Sequence, residues 1–455
     1  MSMSDAASLD AAMEAAVAHQ RAGRLAEAER LYRKVLQQRP ADAVANHNLG
    51  AVLAQSGQPE ESLAFLKSAL QAEPGQGQYW LSYARGLLAC GRAEDALQLL
   101  DTGRQRGLSG LALDGMAAQA QADLGAAHSA NGRQAQAIAA CRRAVALRPD
   151  FAEAHVHLAA ALCETGAIAE GFEHFMRRAE LVYGAHAPPR PPGPPEPAHK
   201  VKHDREQRDY LAGGRAPPSA PAVADMFRIA DGARLAGPAV NPANATPQRL
   251  AQWSGDRPQL VVIDDFLTPE ALEKLRLYCA GSTIWRRIYQ AGYIGATPED
   301  GFACPLLAQI AEEIQATYPA IFASHRFRYL GAFKYDSELS TGTNTHADNS
   351  AVNVNFYIAP DEANLDPDHG GMEIWDVCAP DEPTMRRYNG DEAAVRAFLK
   401  QSGARSTIVP HRANRAVFFK SALFHKTDVC DFKDGYLNKR INVSLLFGDL
   451  DAPTR

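Results

Sequence analysis

The 455-residue chain has no run of about 18 or more apolar residues, the length a membrane-spanning helix needs, so no membrane span is expected. It also lacks any Lys/Arg block. Its 47 basic and 53 acidic residues leave a formal net charge of −6, without the electrostatic footprint of a nucleic-acid binder. The opening MSMSDAASLDAAMEAA is acidic and has no basic stretch followed by an apolar one, so a secretory signal is not expected. Cysteines number seven: Cys90, Cys141, Cys163, Cys279, Cys304, Cys378 and Cys430. The count is odd, and no two stand at the close spacing of a zinc pair. Unpaired thiols in a reducing, cytoplasmic compartment are the expectation. Apolar residues at 46% and charged residues at 22% exclude wholesale disorder and a collagen-like chain. At roughly 100–200 residues per domain, the length implies two or three domains.

What is present first is a repeat. Gly23, Gly57, Gly91, Gly132 and Gly166 are spaced by 34, 34, 41 and 34 residues. Five residues after each comes a small side chain: Ala28, Ser62, Ala96, Ala137 and Gly171. Four further on stand Tyr32, Leu66, Leu100, Cys141 and Phe175, and Pro40, Pro74 and Pro149 close three of the units. Leu49-Gly50, Leu124-Gly125 and Trp80 precede their glycines. Small residues let two helices approach, glycine permits the turn between them, and proline ends the second. This pattern resembles the tetratricopeptide repeat family over residues 1–184, in about five units with one insertion near 105–116. The resemblance implies an all-α solenoid with a concave surface for a protein or peptide partner. His155 and His157 fall on different sides of a helix and read as ordinary helix residues.

From about His186 the composition shifts, with ten prolines between 188 and 221. Residues 185–224 read as an extended Pro-rich linker, interrupted by one short helix in VKHDREQRDYL, 201–211.

Beyond it, residues 225–455 read as β-rich. QLVVIDDFLTPEALEKLRLYCAG and CPLLAQIAEEIQATYP read as a strand and amphipathic helices. Strand-like stretches follow at 327–336, 351–359, 370–377, 406–411, 415–425 and 440–449. In 351–359, Val352, Val354 and Phe356 alternate with Asn353, Asn355 and Tyr357. Short strands separated by turns suggest a sandwich or jelly roll with helices outside. Residues 283–303 and 360–404 read as lids or loops over a pocket.

Three points in this half carry chemistry. His346-Ala347-Asp348 stands just before the alternating strand, and in extended backbone residues i and i+2 share a face. His425 follows 77 residues later, read at the end of the strand 415–425. Two imidazoles and one carboxylate on one side of an ion suit non-haem Fe(II). His411 competes for the second position but is read at the opposite end of the fold, and His369 in a solvated turn. His346 as a surface turn residue and Asp348 as a cap is the plain alternative. Arg440, Asn442 and Ser444 share a strand face, and a buried guanidinium beside a hydroxyl suits the far end of a dicarboxylate. Tyr335 and Asn355 are candidates for contact with a co-substrate or metal-bound water, or are satisfied within the barrel.

His346-x-Asp348, His425 and Arg440-x-x-x-Ser444, with VIDDFLTPEALEKL and NRAVFFKSALFHKT, resemble the 2-oxoglutarate- and Fe(II)-dependent oxygenase family over about residues 258–455. Many relatives place the polar partner two residues after the arginine, where Asn442 stands, so Ser444 and Asn442 both remain candidates. The resemblance implies a double-stranded β-helix (jelly roll) with flanking helices. It implies iron on His346, Asp348 and His425, 2-oxoglutarate held by Arg440, and dioxygen as the third reactant, with succinate and CO₂ as products. The presence of Asp348 favours hydroxylation over halogenation. The expected activity is hydroxylation of a C–H bond in a protein or peptide captured with help from the repeats. A small-molecule oxygenase whose solenoid makes a homo-oligomer, and an inactive repeat scaffold, are the alternatives.

Overall fold

The computed structural model describes residues 3–188, 194–217, 219–254, 259–340, 342–380 and 389–450. The chain forms two compact units, Met1–Leu158 and Ala159–Arg455.

The first unit is built from helix pairs: α1 (Met3–Arg21) with α2 (Leu25–Gln38), α3 (Ala43–Gln55) with α4 (Pro59–Ala72), α5 (Gly77–Ala89) with α6 (Ala93–Gln105), and α7 (Leu111–Ala130) with α8 (Gln134–Leu147). α9 (Ala152–Glu164) and α10 (Ile168–Tyr183) follow in the chain, and the division between units falls inside α9. The five spaced glycines all have left-handed φ, from 69° at Gly91 to 90° at Gly166, which is why glycine recurs at each inter-helix turn. Ala28, Ser62, Ala96 and Ala137 are fully buried where paired helices touch. At Gly125 the approach is so close that an added Cβ would collide with the Cys141 sulfur. Three units share a further device: a side-chain donor six residues after the closing proline bonds that proline's carbonyl. These are Asn46 to Pro40 (2.9 Å), Trp80 to Pro74 (2.9 Å) and His155 to Pro149 (3.0 Å). His157 instead lies 3.8 Å from Glu153 on the same helix.

In the second unit, α10 packs on the β-rich part. Tyr183 donates to Asp300 (2.9 Å), Arg178 to the Glu299 carbonyl (2.7 Å), and Phe172 meets Phe327 edge-on at 5.8 Å. α10 thus belongs with the second compact unit. The short helix expected at 201–211 is α11 (Ala198–Leu211). It docks through polar groups: Lys202 pairs with Asp336, Asp434 and Glu338 within 3.1 Å, and Gln207 donates to the Ser282 carbonyl. His203 packs against the rings of Trp285 and Tyr436.

Among the described residues, the β-rich part has α12 (Pro247–Ser254), α13 (Pro269–Gly281), α14 (Pro305–Thr317), α15 (Pro319–Phe322) and α16 (Glu392–Gln401) around ten strands. These are β1 (Leu260–Ile263), β2 (Arg287–Ile288), β3 (Tyr293–Ala296), β4 (Phe327–Tyr335), β5 (Val352–Tyr357), β6 (Met372–Cys378), β7 (Ser406–Val409), β8 (Ala416–Lys420), β9 (Leu423–Thr427) and β10 (Arg440–Phe447). They form two antiparallel sheets, in the orders β1-β8-β5-β10-β4-β3-β2 and β7-β6-β9. One face of the large sheet buries Phe356, Phe418 and Phe447 against Phe266, Tyr318 and Phe322. On its other face Tyr357, Val417 and Phe419 pack against Met372, Ile374, Val409 and Leu423 of the small sheet.

Residues 415–425, expected as one strand, are two. β8 belongs to the large sheet and β9 to the small one. Ser421, fully buried, turns the chain between them: its N–H reaches the Ala351 carbonyl and its hydroxyl lies 2.6 Å from that of Ser350. Val417, Phe419 and Leu423 all face the space between the sheets, so the inward positions keep one parity across Lys420-Ser421 and hide the corner. Two of the stretches expected as loops also carry regular structure, β2 and β3 within 283–303 and α16 within 360–404.

Candidate metal centre

The segment 345–348 lies alongside β9, with a backbone bridge from His346 to His425. That bridge fixes the two imidazoles side by side, ring centroids 4.4 Å apart. Alternation then brings Asp348 to the same side. One ligating atom from each of His346, Asp348 and His425 falls within 4.8 Å of the others. Nε2 of His425 is 3.4 Å from Oδ2 of Asp348, and Nε2 of His346 is 4.0 Å from Oδ1.

Each imidazole is oriented by its other nitrogen. Nδ1 of His346 lies 2.8 Å from the Asn344 carbonyl, and Nδ1 of His425 lies 2.9 Å from the Leu423 carbonyl. A carbonyl only accepts, so both Nδ1 atoms carry protons and both Nε2 lone pairs are free to bind a metal. Burial, helped by the neighbouring His425, pushes the His346 pKa down and keeps it neutral. Burial also pushes the Asp348 carboxyl up, but His425, His346 and a 2.7 Å hydrogen bond from Asn353 outweigh it and hold the pKa at about 2. Two imidazoles and one carboxylate are the donor set that suits a divalent first-row metal.

These residues line one cleft of about 420 Å³. All seven residues singled out in the sequence face it: His346, Asp348, His425, Arg440, Ser444, Tyr335 and Asn355. Arg440 is 1% exposed. Its Nε donates to the Gly370 carbonyl (2.6 Å), one terminal nitrogen to Gly371 (3.0 Å) and the other to Asn442 (2.8 Å). Three of its five N–H groups are thereby used. The guanidinium lies over the rings of Tyr335 and Tyr357, and among the described residues it has no carboxylate partner. A buried cation in that condition is able to accept an anion from outside the chain. Asn442 is spent on holding the arginine, and Ser444 donates weakly to Asn353 (3.4 Å). Among the described residues, the Asn355 Oδ1 and the Tyr357 hydroxyl are buried without a hydrogen-bond partner.

His411 is not in the metal group. It packs against Tyr357 and Phe432, and burial with the nearby Arg440 charge lowers its pKa to about 3. His369, expected to be solvated, is partly exposed and lies 2.9 Å from Asp428. Glu206, Asp336 and Asp434 also cluster, but Lys439 sits among them at 2.6 Å from Asp336 and 2.9 Å from Asp434, taking a cation's place.

Several contributors were not singled out in the sequence. Asn353 aims Asp348. Gly370 and Gly371 seat Arg440, and at Gly371 a Cβ would collide with the Val409 carbonyl. Tyr289, Tyr293 and Tyr335 stack at 4.5 and 4.9 Å along one wall of the cleft, which Tyr329 and Phe333 extend. A hairpin of stacked tyrosines has a sequence signal in YQAGY, 289–293, but nothing there says which wall it forms.

Tetratricopeptide repeat models match residues 19–85, 53–109 and 118–151, so this region carries tetratricopeptide repeats. Among solved structures, MamA from residue 41 onward, from Desulfovibrio magneticus RS-1, is 21% identical, with a TM-score of 0.33, over 39% of this chain and 97% of its own. Another crystal structure of MamA is 19% identical with a TM-score of 0.33, over 40% and 98% of the two chains. YrrB, a tetratricopeptide protein with an unusual peptide-binding site, is 16% identical with a TM-score of 0.30, over 37% and 84%. No curated protein matches the chain. Among the described residues, no helix is long and apolar enough to cross a membrane.

Proposed function

We propose that the β-rich part is a jelly-roll oxygenase that uses Fe(II) and 2-oxoglutarate to hydroxylate a C–H bond. The carrying observation is the convergence of His346, Asp348 and His425 within 4.8 Å, both histidines presenting Nε2. A ferrous ion with 2-oxoglutarate and dioxygen supplies the oxidising power when bound, and the co-substrate leaves as succinate and CO₂.

The chain's own residues do the rest. His346, Asp348 and His425 would hold the iron on one side and leave the cleft side open. Arg440 would take the distal carboxylate of 2-oxoglutarate on its two unused N–H groups, with Tyr335 and Tyr357 shielding the pair from water. Charge fits: Asp348 and Arg440 cancel, so a divalent metal is matched by a dianion. Ser444 and Asn355 lie on the adjoining floor, where an unpartnered amide oxygen can meet a bound ligand or water. The tyrosine wall would seat the organic substrate and exclude water.

The repeats support a protein or peptide substrate, because stacked helix pairs expose an extended surface of the kind that binds protein segments. A small-molecule substrate is the second reading, favoured by a cleft volume within the ordinary small-ligand range.

The test is anaerobic addition of Fe(II) and 2-oxoglutarate to the full chain. A weak visible metal-to-ligand band should form and should be absent in His346→Ala. Iron binding without the band would overturn the 2-oxoglutarate reading. A +16 Da shift on peptides captured by the repeats would decide between the two substrate classes.

A further inference from the structure

Backbone N–H groups in a buried segment must find partners, and where they go shows what holds the segment. In 345–348 all four are taken, alternately from two sides. The His346 N–H reaches the His425 carbonyl (2.9 Å) and the Asp348 N–H the Ser421 carbonyl (2.9 Å), both on the side of β9. The Thr345 N–H goes instead to the Glu392 carboxylate (2.8 Å), which also accepts from the Thr345 hydroxyl (3.2 Å). The Ala347 N–H goes to the Asn389 side-chain oxygen (3.0 Å), and the Asn389 amide donates back to the Ala347 carbonyl (2.8 Å).

Asn389 thus reproduces, with one side chain, the paired bonds of a neighbouring strand. A third contact anchors the same element. The Ala347 methyl, which alternation turns away from the metal side, is buried with Val395 and Leu399 of α16 and with Phe424. The metal-bearing segment is an edge strand whose missing neighbour is supplied by side chains from another part of the chain.

We propose that Asn389 and Glu392 are positioning residues that brace the metal-binding segment from the side opposite β9. They set the separation of His346 and Asp348 without touching the ion. The inference rests on the metal-centre reading. Outer groups that orient metal ligands are typically worth about 10–100-fold in metal affinity.

The experiment uses the full chain and the variants Asn389→Ala, Glu392→Ala and Glu392→Gln, with two readouts. The first is amide hydrogen exchange without metal. Asn389→Ala should speed exchange at Ala347 about tenfold or more, and Glu392→Ala should do the same at Thr345. The amides of His346 and Asp348 should change less, because their partners lie elsewhere. The second is calorimetric titration with Mn(II). Both alanine variants should bind about 10–100-fold more weakly, while Glu392→Gln, which keeps an acceptor for Thr345, should stay near the parent. Unchanged exchange overturns the brace itself. Faster exchange with unchanged Mn(II) affinity overturns its positioning role. If the parent chain binds no Mn(II), the metal-centre reading fails and takes the inference with it; if the parent binds and the variants bind equally, only the inference fails.

Discussion

Nε2 of His425 stands 3.4 Å from Oδ2 of Asp348, the same oxygen to which Asn353 donates at 2.7 Å. The two side chains stand 77 positions apart in the sequence, and β9 brings them together through its bridge to His346. The grouping depends on that bridge and on a carboxylate that Asn353 orients. The two histidines are not equivalent. The His425 side chain is 4% exposed and that of His346 31%. His346→Ala should therefore lower Mn(II) affinity by more than about 100-fold while changing unfolding free energy by less than about 1 kcal/mol. Calorimetric titration and urea unfolding on the same protein check both halves.

Arg440→Ala removes both an anion site and the donor for two carbonyls. The 2-oxoglutarate requirement should rise steeply, by about 2–4 kcal/mol of binding, and urea unfolding should show a loss of about 1–3 kcal/mol from the unbonded Gly370 and Gly371 carbonyls. Arg440→Lys keeps the charge but not the fork, and should bind 2-oxoglutarate at an intermediate level. Equal binding by all three proteins would move the dicarboxylate anchor elsewhere.

Gly371→Ala tests the seat of that arginine from the other side. A methyl group there meets the Val409 carbonyl, so backbone must shift. Destabilisation of about 1–3 kcal/mol is expected, with weaker 2-oxoglutarate binding and retained Mn(II) binding. Loss of metal and co-substrate together would indicate a wider collapse.

Stability should depend on pH through a buried lysine. Burial lowers the Lys334 pKa to about 7, and the nitrogen packs 3.5 Å from the centre of the Tyr436 ring, near Trp285 and facing Cys279, Glu206, Lys439 and Asp204. The unfolded chain holds this proton to about pH 10.4. Between these values the unfolded state binds more protons, so stability rises with pH above 7, by at most about 1.4 kcal/mol per unit from this group. Past about pH 9 the buried thiols of Cys141, Cys163 and Cys304, raised by burial to about 11 or 12, act in the opposite direction. Below about pH 6.5, His203 and His411, lowered to about 3 chiefly by burial, cost stability as the unfolded chain takes up protons. Urea unfolding from pH 7 to 8.5 should show the rise, and Lys334→Met should flatten it. A slope unchanged in the variant would assign the rise to other groups.

The repeat was legible because five glycines must adopt left-handed φ, which fixes both residue type and spacing. The alternation of β5 and of Arg440, Asn442 and Ser444 was legible because a strand's period is two. The corner at Ser421 was not: Val417, Phe419 and Leu423 keep one inward parity across Lys420-Ser421, so the pair reads as part of a single strand. The brace at Asn389 and Glu392 was not legible either, since a side chain that imitates a strand partner leaves no period in the sequence. The seat of Arg440 fails for a related reason. Gly370-Gly371 reads as an ordinary turn until the Val409 carbonyl is seen against it.

α10 and α11 both belong to the second compact unit, and the first proline cluster runs from the end of one to the start of the other. The helices on either side of this stretch therefore belong to one unit. What fixes α11 on the β-rich part is its own polar contact with Asp336, Asp434 and the Ser282 carbonyl.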